Sequence, residues 1–534
     1  MSYITLIRPP MVVVRAVPSR SCVPPLGLAY LAACLQKEDH IVDAIDSVGE
    51  SIFQIYPVHE GKYFAHGLTL DEVLERLNPK TDYFGISCMF SHEWPIARDL
   101  IKKIRKNFPD RPIVVGGEHV TATAQITLEE NPEIDYCIIG EGEFSFLSLI
   151  SLLDNGKPVP ETGAILSQKN PVRHIPTQGS VDRNLRALRI QKVDDIPPPS
   201  WDLFPLSAYL DNGFGHGVQG RRSLPFLATR GCPFQCTFCS SPQMWTTTYL
   251  TRDPRKILDE MEHYNKLYGV QNFGFCDLTM VTKRSWIIEY CKSILERKLD
   301  ITYQFPNGTR SEAIDEEVAD LLYRTGCRTI YYAPESGSPR VLKRIKKAVD
   351  LKKMKRSMRS SLRSGIVVKA NIIIGFPEEK HSEIWETIWF IWELAVIGVQ
   401  DITITGFIPY PGSELFHQLR TSGRIPEYND EYLWSLASTS TVKKTVSWSL
   451  HISSRALHRY KFFGLISFYI VSYSLRPWRF FKALYNIIMG RPDETRIESV
   501  LRTAYRMIFR RRQLPEISPV TKPPTVAYTN TSHN

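Results

Sequence analysis

"TRGCPFQCTFCSSP", residues 229–242, sets three cysteines at intervals of four and three, with Gly231, Pro233 and two phenylalanines between or beside them. A disulfide takes two thiols, and a structural zinc takes four ligands. No histidine or further cysteine stands near the loop at zinc-finger spacing. Three thiolates in so short a loop favour a soft metal centre. A four-iron cluster accepts three cysteines and leaves one iron open to an outside ligand. A zinc completed from elsewhere, and cysteines clustered by chance, are the competing readings.

Outward from the loop, strand and helix patterns alternate on both sides. "FLATR" leads into it as a strand. "NFGFCDL", "ITYQFPNG", "TIYYAPES", "VVKANIIIG" and "DITITGFIP" follow, with helical stretches such as "PRKILDEMEHYNKLYG" between them. Six strand–helix units are fewer than the eight that close a full barrel. Residues 201–420 therefore predict a partial (β/α)6 barrel with the cysteine loop after its first strand. Residues 1–150 predict a doubly wound, Rossmann-like α/β domain, because short apolar strands alternate there with amphipathic helices. Ligands of such sheets sit at the carboxyl ends of the strands. The glycine-rich or polar loops "SCMFS" (87–91), "GGEHVT" (116–121) and "GEGE" (140–143) fall at those ends. Residues 151–200 lose the rhythm and end in "DDIPPPSW", an extended linker. Residues 421–513 read as mainly helical and 514–534 as a disordered tail.

The 534 residues carry a net charge of +10, and residues 451–513 alone hold 13 Lys/Arg against 3 Asp/Glu. The rest of the chain is close to neutral, which argues against a nucleic-acid-binding protein. The run "KRIKKAVDLKKMKRSMR" (343–359) reads as a solvated helix face. Ten cysteines are too few for a disulfide scaffold and point to a reducing cytosol. The N-terminus, broken by Arg8, Pro9, Pro10 and Arg15, lacks a signal-peptide core. "FFGLISFYIVSYSL" (462–475) is shorter than the roughly 20 residues that span a bilayer. It is either a helix buried through Leu465, Phe468, Tyr469 and Ser472, or one lying on an anionic membrane between Arg459, Lys461, Arg476 and Arg479.

Cys232-x3-Cys236-x2-Cys239, with Phe238 before the last cysteine, resembles the signature of the radical S-adenosylmethionine (SAM) superfamily. The resemblance implies a [4Fe-4S] cluster on these cysteines, with SAM chelating the open iron and yielding a 5′-deoxyadenosyl radical that abstracts hydrogen. It assigns Asp277 to the methionine amino end. In "APESGSPR" it assigns Glu335, Ser336 and Gly337 to the ribose, and in "NIIIGFPEE" it assigns Ile374, Gly375 and Pro377 to adenine. A doubly wound domain directly before such a barrel resembles the cobalamin-binding subclass. Cobalamin would then meet Ser87 and Ser91 near the corrin, and Gly116, Gly117 and Thr121 along the nucleotide tail, with Glu141, Gly142 and Glu143 in the neighbouring loop. The chain lacks the Asp-x-His-x-x-Gly by which many cobalamin domains ligate cobalt, so no histidine from that motif is expected on the metal. His92 and His119 read as surface loop residues.

The resemblance implies a cobalamin-dependent radical methyltransferase acting on an unactivated carbon. It would consume two SAM molecules and take electrons from a donor such as flavodoxin or ferredoxin. The substrate is a small molecule or a lipid. A non-methylating member of the class, such as the anaerobic cyclase of porphyrin biosynthesis, is the first rival. A methylthiotransferase lacks support, because residues 1–145 hold no second cysteine triad. A zinc-stabilised nucleic-acid-binding module is the rival of another class. The expected location is cytoplasmic, with peripheral membrane contact through the C-terminal region as an open possibility.

Overall fold

Tyr3–Arg8 (β1) buries its four central residues, as a strand must in the middle of a parallel sheet covered on both faces. The computed structural model describes residues 1–14, 22–160, 163–168, 189–215, 222–310, 313–425, 428–437, 446–489, 495–498 and 501–502. The expected disordered tail lies outside them. Two compact units divide the chain, Met1–Ser472 and Tyr473–Asn534.

In the first sheet β1 lies between Ile41–Asp46 (β3) and Tyr83–Ser87 (β6), followed by Ile113–Gly116 (β7), Tyr136–Ile138 (β8) and Ile165–Ser167 (β9). All pairings are parallel except that of β9, which closes the edge antiparallel to β8. Its helices are Leu26–Lys37 (α1), Ser47–Glu50 (α2), Leu70–Glu75 (α3), Trp94–Asn107 (α4), Glu118–Glu130 (α5) and Glu143–Asp154 (α6). In α4, Ala97, Leu100, Ile101 and Ile104 recur at helical spacing and are buried, which turns one stripe to the core. A small antiparallel sheet of Met11–Val13 (β2), Ile55–Val58 (β4) and Tyr63–His66 (β5) was not legible in advance.

The second sheet runs Ser223–Phe226 (β10), Asn272–Phe275 (β13), Thr302–Thr309 (β14), Cys327–Glu335 (β15), Val367–Ile374 (β16) and Asp401–Gly406 (β17), all parallel and in chain order. That is the expected partial barrel of six strands. The predicted strand "FLATR" is divided: β10 ends at Phe226, and Thr229–Arg230 (β11) turns aside to pair with Leu250–Thr251 (β12).

Two expected boundaries differ. The linker 151–200 is in part structured: α6 runs to Asp154, β9 joins the sheet, and Ile190, Val193 and Ile196 pack with Tyr30 and Cys34 of α1. Apolar residues spaced along the prolines give that segment a surface to bury. Past residue 421, Tyr432, Leu433 and Leu436 join the core that covers the first sheet, so this stretch is not a separate C-terminal module.

The Ser454–Leu475 helix meets the buried reading on one face only, with Leu465 half-buried and the opposite face exposed. Phe468, Tyr469 and Ser472 are buried, with Leu457 and Gly464 on the same side. Tyr469 Oη donates to Asp401 at the start of β17, and Gly464 lies against Ile404 of the same strand. The helix thereby covers the last strand of the sheet, where an edge would otherwise invite association. Phe468→Ala should lower the unfolding free energy by about 3–5 kcal/mol, whereas Ile470→Ala on the outer face should change it by under about 0.5 kcal/mol. Thermal melts of the two variants check this.

Candidate active site

The cysteine loop leaves β11 and is held at both sides by backbone. Thr237 N donates to Ile345 O at 3.0 Å, and Leu415 N donates to Thr237 O at 2.9 Å. The Phe238 ring packs 5.8 Å from Phe376, which joins it to the core. Phe238 thus anchors the loop. Cys232, Cys236 and Cys239 are all half-buried. Burial raises all three thiols, Cys239 up to about 11, while Lys347 and Arg310 pull Cys232 and Cys236 back down. Three thiols in a cationic setting fit a group that carries them as thiolates. Among the described residues no three His, Cys, Asp or Glu side chains converge on a single ion. A four-iron cluster spreads its cysteines over separate irons and suits this donor set.

Lys347 Nζ donates to Glu335 Oε1 at 2.9 Å, and both side chains are almost fully buried. Burial acts to lower the lysine, yet the Glu335 carboxylate holds it above the ordinary range. Glu335 has φ of 64°, an uncommon state for a residue with a Cβ and one that collects at functional sites. The Arg310 guanidinium lies 3.7 Å from the Phe234 ring centroid, inside the cysteine loop. Sequence reading missed both: Lys347 lies in the run expected to be a solvated helix face yet is buried, and Arg310 is a lone cation after β14 with no spacing signal.

Several expected contacts go to the protein itself. Asp277 accepts from Ala228 N, Thr229 N and Thr229 Oγ1, so it fixes the turn between β10 and β11. Burial lifts its carboxyl to about 6 in spite of these donors. Ser336 Oγ is fully buried and bonded to Thr387 Oγ1, and a Cβ on Gly337 would meet Phe390 Cβ at 2.4 Å and Glu386 O at 2.8 Å. Gly337 therefore serves helix–loop packing. Ile374, Gly375 and Pro377 lie buried at the end of β16. There Glu379 accepts from Gly375 N and Phe376 N, and burial raises its carboxyl to about 7. Glu379 is a third residue the sequence did not single out.

At the ends of the first sheet, Ser87 and Gly116 are half-buried, and the tip residues Met89 and Phe90 are exposed. Gly117 has φ of 120°, and a Cβ there would stand 2.5 Å from Cys88 O. Its missing side chain admits the neighbouring loop, not a ligand. Thr121 Oγ1 bonds Gly117 O and accepts from Gly140 N, tying two loops together. Gly142 is the cap residue before α6. Ser91 is buried and bonded to His119 Nδ1 at 3.0 Å. His119 itself is 2% exposed within α5, its ring tilted against Trp94, and burial lowers it to about 3. His92 is also largely buried, which lowers it to about 4. The expectation of a surface loop residue fails for His119, which is buried within α5, while His92 keeps a partly exposed side chain in the turn before α4.

Glu141 and Glu143 are the largest departure. Arg230 of β11 donates to Glu141 Oε1 at 2.9 Å and to Glu143 Oε1, while Arg189 Nε donates to Glu141 Oε2 at 2.6 Å. All four side chains are at most 8% exposed. Tyr30 and Trp245 flank Arg230 at 5.3 and 5.9 Å. Ser240, just past the cysteines, donates to Glu118 at the start of α5. These bonds hold the strand ends of the first sheet against the cysteine loop of the second. The two loop sets form one facing pair.

The comparisons with known proteins divide the chain at the same place. Residues 12–150 match the B12 binding domain and residues 226–391 match the Radical SAM superfamily. A Pyrococcus horikoshii relative named uncharacterized methyltransferase PH0819 is 29% identical over 85% of this chain and 88% of its own. The anaerobic magnesium-protoporphyrin IX monomethyl ester cyclase of Rubrivivax gelatinosus is 26% identical over 74% of this chain and 66% of its own. The fold is shared with a solved structure of the radical SAM methyltransferase TsrM from Kitasatospora setae, at TM-score 0.61 and 16% identity, covering 79% of this chain and 76% of that one.

Arg230→Met should lower stability by about 3–5 kcal/mol, because it leaves Glu141 to Arg189 alone and takes the guanidinium from the buried Glu143. Adding Glu143→Gln should recover part of the loss. Denaturant titration of the single and double variants reads both effects.

Proposed function

We propose that this chain is a cobalamin-dependent radical S-adenosylmethionine enzyme that methylates an unactivated carbon of a small-molecule or lipid substrate, a reading supported by the two matched domains and the methyltransferase-named relative. The observation that carries the reading is the Arg230–Glu141–Glu143 bridge, which sets the cobalamin-domain loops face to face with the cysteine loop. Radical transfer between two bound groups needs such proximity.

Cys232, Cys236 and Cys239 hold the [4Fe-4S] cluster in this reading. Lys347 and Arg310 meet the SAM carboxylate, and Glu335 the ribose hydroxyls. The Ile374–Pro377 turn, stiffened by Glu379, receives the adenine. Ser87, Gly116, Met89 and Phe90 meet the cobalamin. His119, with Nδ1 on Ser91 and Nε2 toward Thr123, is occupied within the protein, which supports cobalt without a histidine from this loop. The bound groups supply hydrogen abstraction and methyl donation. The chain supplies position, positive charge beside the thiolates and a wall of buried residues around them. Ser336, Asp277 and Gly337 support these groups from behind. Electrons come from a small donor of the flavodoxin or ferredoxin type. The enzyme works in the cytoplasm, where thiols stay reduced.

A ring-forming reaction on the same cofactors is the second reading, favoured by the similarity to the magnesium-protoporphyrin cyclase. Anaerobic reconstitution with cobalamin and SAM carrying a labelled methyl group, incubated with extract from cells lacking the protein, separates the two. Label in a new product supports methylation; a changed product without label supports cyclisation. Cys236→Ala should lose the iron–sulfur absorbance and all 5′-deoxyadenosine formation. Gly116→Trp should lower bound cobalamin to a small fraction of wild type while the cluster remains. Gly116 suits that test because a Cβ there meets nothing nearer than 3.7 Å, and retention of the iron–sulfur absorbance reports that the variant is folded.

A further inference from the structure

The outer side of the Met1–Ser472 unit carries an apolar face that its core does not use. Trp385, Trp389 and Val396 are exposed on the His381–Ile397 helix, at 42, 63 and 54%. Phe462, Phe463 and Ile470 are exposed on the Ser454–Leu475 helix beside it. The helices meet through Trp385 and Phe463, 5.6 Å apart, and through Trp392 Nε1, which donates to Ser467 Oγ. Ring contacts among Trp385, Trp389, Trp392 and Phe463 make an aromatic patch across the two helices, with Val396, Phe462 and Ile470 exposed on the same helices, unlike the scattered exposed side chains of an ordinary soluble surface.

Its composition selects the occupant. Tryptophan combines an apolar ring with a polar edge and concentrates at the boundary between lipid and water. The Ser454–Leu475 helix contains no Asp or Glu, and Arg455 and Arg459 are exposed at its start. The acids of the neighbouring helix are neutralised: Glu383 pairs with Arg344, Glu386 with Arg340 and Glu393 with Lys355. The Tyr473–Asn534 unit shows the same signature by itself. In its Pro477–Ile488 helix, Trp478, Phe481, Leu484 and Ile488 are exposed at helical spacing, and the helix has Arg479 and Lys482 but no acid. Among the described residues no helix is long and apolar enough to cross a membrane.

We propose that the aromatic face of the His381–Ile397 and Ser454–Leu475 helices docks the enzyme on an anionic bilayer surface, with its rings at the headgroup level and its arginines on the acidic lipids. The apolar face is thus outside the barrel, not the Phe468–Tyr469 side that the barrel buries. Docking of this kind combines apolar insertion with electrostatic attraction, and it is screened by salt. Each basic residue near such a surface raises partitioning about fivefold. The inference rests on this surface and extends the proposed cytoplasmic location; it is read without turnover, so its failure and that of the methylation reading are separate results.

The test is sedimentation of the purified full chain with phosphatidylglycerol-containing vesicles and with phosphatidylcholine vesicles, at low and high salt. The expected result is binding to the anionic vesicles at low salt, weakened by high salt and by removal of the acidic lipid. Arg455→Glu/Arg459→Glu should lower partitioning at least about 25-fold, and Trp385→Ser/Trp389→Ser should lower it several-fold, with unchanged melting of both variants. Absence of vesicle binding at low salt overturns the proposal. So does wild-type binding by both variants, or a concentration-dependent dimer that the Trp385→Ser/Trp389→Ser change dissolves, since a second copy would then be the occupant.

Discussion

One buried guanidinium holds the two halves of this enzyme in register. Arg230 stands at the root of the cysteine loop, and its carboxylate partners come from the loop after β8 and the first residue of α6 on the other sheet. A buried charge is costly unless it is paired and hydrogen-bonded, so the three groups are stable only when the sheets face each other as they do. Arg189 on Glu141, with Tyr30 and Trp245 beside the guanidinium, completes the neutralisation. The pairing adds little to stability over an apolar contact of the same size. Its contribution is orientation: displaced sheets would leave the same charges bare.

A second pair orders the opposite side of the cysteine loop. Lys347 and Glu335 are buried together, and the lysine field reaches Cys236. The carboxylate sits on a backbone with positive φ, a cost of about 1–3 kcal/mol that the surrounding structure sustains. Strain and a buried cation beside three thiols belong together in a site that takes up anionic groups. The Glu379 carboxylate, receiving Gly375 N and Phe376 N, repeats the device one strand further on.

The fold and the cysteine loop were legible because they rest on local signals. Strand and helix periods differ, and three cysteines in eight residues have few innocent explanations. The contacts were less legible, because a residue type at a matching position does not disclose its partner. Asp277 and Ser336 have the expected chemistry, yet their donors and acceptors lie within the protein. Gly117 reads as a gap for a ligand, and its Cβ direction points at Cys88. His119 reads as a loop residue, because the short turn before α5 hides that the helix has already begun. The segment around Arg189 was read as a spacer from its prolines, while its few apolar residues decided its packing. Glu141 and Glu143 looked like ligand-loop acids, and only the arrangement in space reveals that their counterions come from residues 189 and 230.

The central claim is that both cofactors occupy a single cleft held by Arg230. Pulsed electron paramagnetic resonance of the reconstituted protein, with the cluster reduced and cobalamin in its cob(II)alamin form, measures this directly through the coupling of the two electron spins. The account predicts a resolved cluster–cobalt coupling in the wild type that broadens or disappears in Arg230→Met with both cofactors still bound. Two spins without measurable coupling in the wild type would contradict it.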